Sequence, residues 1–231
     1  TLVFVTGSRW MWSSMAAIVA VLLGGLLSAA IADVDQDGRR TASTSVDGSF
    51  VRLEGNGFSP ANNQCVIYGV LSYDSSAPRQ IESGLVRCDS GTSIDGTCPG
   101  GQVFVERYNG SSYFCTPGYS FNNNTQYDAT TYRNSSSSTT FTGHINGSTL
   151  TQGGFGLSDN IRGYAWGEAT GGSTCPSPSR GTFHVWQRYN TSSGWSYVDG
   201  SSVFRYDNGM NGAPCWGSIS AADSSGGFDV D

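Results

Sequence analysis

The chain contains only four glutamates, and three of them stand in strand-like contexts. Glu82 lies in Gln80-Ile81-Glu82-Ser83-Gly84-Leu85-Val86, Glu106 in Phe104-Val105-Glu106-Arg107-Tyr108, and Glu168 in Tyr164-Ala165-Trp166-Gly167-Glu168-Ala169-Thr170. Side chains at i and i+2 of a strand share a face. Gln80 therefore joins Glu82, and Trp166 joins Glu168. Carboxyl and amide groups set among aromatics can exchange protons and donate hydrogen bonds on a concave catalytic or binding face. At acidic pH this chemistry is serviceable where histidine is not. A His base would already be protonated, while a carboxyl group is still partly ionised.

Competing chemistries leave no trace. There is no Gly-x-Ser-x-Gly elbow, P-loop, His-Glu-x-x-His or complete Rossmann fingerprint. His144 and His184 each sit inside a strand pattern and read as packed or surface residues. Asp33, Asp35, Asp37 and Gly38 imitate the first half of an EF-hand loop, but its twelfth position is Thr44 rather than Glu. The stretch reads as a solvated acidic leader. With no Cys-x-x-Cys and no His near a Cys, no zinc site is expected, and neither is any other metal or cofactor.

All twelve basic residues are arginine, the formal charge is −6 and the isoelectric point about 4.7. That balance argues against a nucleic-acid or anionic-membrane surface. From Trp10 to Ala32 no residue is charged, and the run ends in Ala30-Ile31-Ala32, a small-x-small cleavage pattern. Residues 1–32 are therefore expected to be a secretory signal peptide, with a retained membrane anchor as the competitor. Residues 33–47 would form a polar leader, and the protein would be extracellular and monomeric. Six cysteines follow: Cys65, Cys88, Cys98, Cys115, Cys175 and Cys215. In an exported chain they read as three disulfides with fifteen possible pairings. Proximity suggests Cys88–Cys98 and Cys175–Cys215, leaving Cys65–Cys115.

Beyond residue 48 no amphipathic helix is legible. Short β-branched and aromatic runs recur between turn clusters, among them Cys65–Tyr73, Gln80–Cys88, Gln102–Tyr108, Gly163–Ala169, Thr182–Tyr189 and Cys215–Ile219. Asn109-Gly110 and Asn146-Gly147 are hairpin-turn signals. The expected fold is all-β: an antiparallel, concanavalin-like jelly-roll sandwich over residues 48–231. Trp186, Tyr189, Trp195 and Tyr197 form an aromatic cluster that reads either as core or as a sugar-stacking platform.

In their order along the chain, Gln80, Glu106 and Glu168 resemble the glutamic peptidases, the eqolisin family of secreted acid proteases. Gln80–Gly84 resembles the strand that carries the family's catalytic Gln, and Tyr164–Glu168 the later strand that carries its catalytic Glu. Aligning Ser83-Gly84 with the family's small residues would instead put Glu82 in the Gln position. The resemblance spans about residues 64–190. It implies a polypeptide substrate, Glu168 as general base, Gln80 as oxyanion donor, and Glu82, Glu106 and Trp166 as supporting residues. The rival classes are a carbohydrate-binding or glycan-cleaving sandwich and a non-catalytic surface domain. Contact between the Gln80 amide and the Glu168 carboxyl in a groove favours the peptidase, two carboxyls facing each other without Gln80 favour glycan cleavage, and dispersed, outward-pointing groups favour the surface domain.

Overall fold

The computed structural model describes residues 34–42, 45–77, 79–94, 97–154, 156–157, 160–172, 174–177, 180–208 and 215–231. The expected signal segment lies outside the described residues. Two antiparallel sheets face each other. The first runs, in spatial order, β15 (Ser202–Asn208), β1 (Val34–Arg40), β12 (Ile161–Thr170), β3 (Cys65–Asp74), β4 (Arg79–Cys88), β7 (Gln102–Tyr108) and β8 (Tyr113–Ser120). The second runs β11 (Ser148–Gly154), β10 (Thr140–Ile145), β9 (Gln126–Tyr132), β2 (Gly48–Asn56), β13 (Arg180–Asn190) and β14 (Gly194–Tyr197), with β16 (Phe228–Val230) also paired to β13. A small ribbon of β5 (Ser93–Ile94) and β6 (Cys98–Pro99) lies between β4 and β7 in the chain. No helix among the described residues is long and apolar enough to cross a membrane.

Period-two alternation separates the faces of the first sheet. Val66, Tyr68 and Val70 of β3, Leu85 of β4, Val103 of β7 and Ala165 and Ala169 of β12 point inward, where they pack with Val51, Leu53, Phe183 and Trp186 of the second sheet. The alternate residues, Ile67, Leu71 and Tyr73 of β3 and Tyr164 and Trp166 of β12, form apolar clusters on the other face. Every residue of β3 is buried, because both of its faces are covered. The pairs Gln80/Glu82 and Trp166/Glu168 thus share faces as their spacing predicts, and all four project to the side away from the inter-sheet core.

Several expectations need correction. Residues 34–40 are not a solvated leader but a strand between β12 and β15, with Asp35 and Asp37 fully buried. Acidic residues are poor strand formers, and here tertiary partners offset that: Asp35 accepts a hydrogen bond from the Cys215 backbone N–H, and Asp37 lies 3.5 Å from the Arg205 guanidinium. Cys215–Ile219 is no strand; it contributes only an isolated bridge from Ile219 to Val230. Asn146-Gly147 has positive φ at both residues (49° and 75°), as a type I′ turn requires. At Asn109-Gly110 only the glycine does (95°), and the Asn109 side chain accepts from the N–H groups of Ser111 and Ser112.

The aromatic cluster divides between two environments. Trp186 is core, while Tyr189 and Trp195 gather with Phe50, Tyr132 and His144 on the far face of the second sheet.

The disulfides are Cys65–Cys88, Cys98–Cys115 and Cys175–Cys215. Two of the expected pairings fail because register, not sequence proximity, decides them. Cys65 and Cys88 are direct cross-strand partners at the open end of the β3–β4 hairpin. Cys98 is left to tie the β5–β6 ribbon to Cys115 on β8. Peptide mapping of the unreduced protein should recover these three pairs and denaturing thiol titration should find no free thiol; a Cys88–Cys98 peptide would contradict the register.

Candidate active site

The outward face of the first sheet carries a groove running diagonally across β1, β12, β3, β4 and β7. Val34, Gln36, Glu168, Trp166, Glu82 and Gln80 line it in turn, and Glu106 and Tyr113 close its far end. Thr92, Ser93 and Ile94 overhang it from the loop between β4 and β7. Ile94 and Cys98 pack on Ile67, Val86 and Phe104, so the two disulfides that anchor this loop also hold the overhang in place. The groove encloses about 180 Å³. That is too small to engulf a drug-sized ligand, but a trough of this shape suits an extended chain laid along it.

Gln36 and Glu168 are cross-strand partners on β1 and β12. Gln36 Nε2 donates to Glu168 Oε2 at 2.8 Å, and the Gln36 side chain is buried. Sequence reading missed Gln36. The signal it could have used is Val34-x-Gln36-x-Gly38, a period-two pattern hidden between Asp35 and Asp37.

Gln80 and Glu168 line the same groove but do not meet. Glu168 pairs with Ile67 and Ile67 with Val86, six positions beyond Gln80 on β4. At about 3.3 Å per residue and two strand spacings of about 4.8 Å, their Cα atoms are about 20 Å apart. The amide in contact with the Glu168 carboxyl is that of Gln36.

Glu82 occupies the centre. Its Oε1 accepts a hydrogen bond from Trp166 Nε1 at 2.8 Å, and both side chains are buried. Gly69 lies between them on β3, paired with Trp166. A Cβ there would come within 2.8 Å of Glu82 Oε1, so the hydrogen bond depends on the missing side chain. The Glu82 carboxyl is held well above its ordinary range, first by burial and then by the charge of Glu168, with the Trp166 N–H opposing both. Glu106 stands directly opposite Glu82 on β7. Two ionised carboxyls resist that placement, whereas one protonated carboxyl tolerates it.

The groove therefore joins Glu82, a carboxyl that burial and the charge of Glu168 hold well above its ordinary range, to a carboxyl–amide pair, Glu168 and Gln36. Pairs of carboxyls whose environments push their proton affinities apart are suited to acid–base catalysis. Among the described residues, Asp35, Cys175 and Cys215 are the three side chains that approach one another closely enough to suggest a metal site, but both cysteines are oxidised in one disulfide and cannot ligate as thiolates.

Glu82 also makes stability depend on pH. In the unfolded chain it ionises near pH 4.3, and in the fold only well above that. Between those limits the folded state binds more protons, so stability falls as pH rises through the window. Thermal unfolding from pH 3.5 to 7 should show a loss of Tm in the wild type that is smaller in Glu82→Gln. Identical pH profiles would contradict a protonated Glu82.

No family model and no curated protein matches the chain. Solved structures do. A scytalido-glutamic peptidase bound to a transition-state analogue inhibitor superposes with a TM-score of 0.58 at 10% identity, covering 86% of this chain and 98% of that one. SCP-B, a member of the eqolisin family of peptidases in complex with the tripeptide Ala-Ile-His, superposes with a TM-score of 0.53 at 9% identity over 86% and 98%. The chain thus has the fold of the glutamic peptidases, in agreement with the resemblance read from its sequence.

Proposed function

We propose that the groove hydrolyses extended polypeptides under acidic conditions. The observation that carries this reading is the Gln36–Glu168 hydrogen bond of 2.8 Å, formed in the groove that the buried acid Glu82 also lines and where the charge of Glu168 reaches the Glu82 carboxyl. An ionised Glu168 takes a proton from water as the water oxygen bonds to the scissile carbonyl carbon. The carbonyl π electrons move to oxygen, and an amide N–H stabilises that oxyanion. Gln36 is the donor nearest the base, and an amide donor does not change state with pH. Glu82 protonates the departing nitrogen as the C–N bond breaks. The Trp166 N–H then holds the glutamate anion that remains until the proton on Glu168 returns through solvent. Glu106, opposite Glu82 on β7, is placed to support it.

Three disulfides suit an oxidising compartment, and we infer an exported, monomeric enzyme. The tripeptide bound to the structurally similar SCP-B supports a polypeptide substrate. One observation favours a second reading, glycan cleavage: the charge of Glu168 acts on the Glu82 carboxyl, as in the paired carboxyls of glycoside hydrolases.

Digestion of a denatured protein at about pH 3–4, where carboxyls titrate, separates the two. Wild type should cleave it, Glu168→Gln should lose at least about two orders of magnitude, and Gln36→Ala about two to three. Activity should fall again as pH rises and Glu82 gives up its proton. Release of reducing sugar from a β-glucan without peptide cleavage would replace the peptidase reading by the second one. Equal cleavage by all three proteins would remove Glu168 and Gln36 from the mechanism.

A further inference from the structure

Gln80 stands about 20 Å along the groove from Glu168. The residue is only 5% exposed, and its Oε1 is buried with no hydrogen-bond partner among the described residues. Its neighbours across the strands are aromatic: Tyr73 on β3 and Tyr108 on β7. Tyr108 stacks on Tyr113 at 4.3 Å, and Tyr113 lines the groove beside Gln80. Among the described residues, nothing donates to this amide oxygen. A leucine of similar size would fill the space without the cost of a buried polar group lacking a partner. An amide retained in such a place at a groove wall points to a partner that arrives from the groove.

We propose that Gln80 is a substrate-binding residue that hydrogen-bonds the main chain of an extended polypeptide at a subsite remote from the cleaved bond. The proposal rests on the reading of the groove as a polypeptide site. A glutamine side chain carries the same donor and acceptor as a peptide unit. It can therefore take a backbone N–H and C=O together, as a neighbouring strand would. A distance of about 20 Å at about 3.3 Å per residue places this contact about six residues from the scissile bond. Short peptides held at Glu168 cannot reach it. Gln80 thus selects for long, extended substrates and leaves the bond-breaking step to the other end of the groove.

The test measures binding in a Glu168→Gln background, so that cleavage does not intervene. A fluorescent fourteen-residue peptide and a four-residue peptide of the same central sequence are titrated into proteins with Gln80 or with Gln80→Leu. The long-to-short affinity ratio should fall about tenfold with Gln80→Leu, the scale of one or two hydrogen bonds. N-methylation of successive backbone nitrogens in the long peptide should find one position that weakens binding to the Gln80 protein and leaves the Gln80→Leu protein unaffected. The Tm of unliganded Gln80→Leu should rise, because the unpartnered amide is gone; a lowered Tm would mean that the amide serves the fold. An unchanged affinity ratio, or no binding of the long peptide at all, would overturn the proposal. Binding with the expected ratio but no cleavage by the Glu168 enzyme would overturn the peptidase reading alone. A hundredfold loss of kcat on the short peptide when Gln80→Leu is placed in the Glu168 enzyme would make Gln80 an oxyanion donor instead.

Discussion

The groove is organised around one buried carboxyl. Glu82 has been taken out of water, placed opposite another glutamate and brought within reach of the charge on Glu168. The burial and that charge favour its neutral form. The one contact that opposes them, the indole N–H of Trp166, fixes its position. Keeping Glu82 protonated makes the other features consistent. Gly69 must lack a side chain, β12 must present Trp166 and Glu168 on one face, and Glu106 can stand opposite.

The rest of the molecule keeps this face rigid and partly dry. The inter-sheet core fills the opposite side of β3, β4, β7 and β12, so these strands cannot twist freely and their alternation is fixed. Two disulfides pin the loop between β4 and β7 over the groove, and the third ties Cys215 near Asp35 on the underside of β1. β1 therefore presents Gln36 to Glu168 because Asp35 and Asp37 are engaged behind it. The arrangement suits an acidic solvent. Its central carboxyl is most comfortable where the solvent is acidic, and no lysine and few histidines are present to gather charge as pH falls.

Most of the groove floor was legible in the sequence. Gln80, Glu82, Glu106, Trp166 and Glu168 all line the groove, because period-two alternation on a strand buried on one side leaves each side chain a single face. The all-β sandwich followed from the same periodicity and from turn chemistry. What stayed hidden was set by tertiary partners. β1 reads as an acidic loop because Asp35 and Asp37 are poor strand formers; Arg205 and the Cys215 N–H, far along the chain, make it a strand. With β1 unread, Gln36 was unread too, and Gln80 was taken for the amide beside Glu168. Distances across a sheet follow register, and register between strands distant in sequence is not written in either strand alone. The disulfides failed for the same reason, since Cys65 and Cys88 meet through the β3–β4 register.

The central claim is that Glu82 holds its proton while sharing a groove with an ionisable Glu168. With only four glutamates in the chain, side-chain carboxyl carbons can be followed individually by nuclear magnetic resonance of protein labelled at the glutamate carboxyls, with Glu82→Gln assigning its signal. The account predicts that the Glu82 resonance titrates well above the ordinary glutamate range near 4.3 and that Glu168→Gln lowers its midpoint by removing the neighbouring charge. A Glu82 signal that titrates in the ordinary range, unmoved by Glu168→Gln, would contradict it.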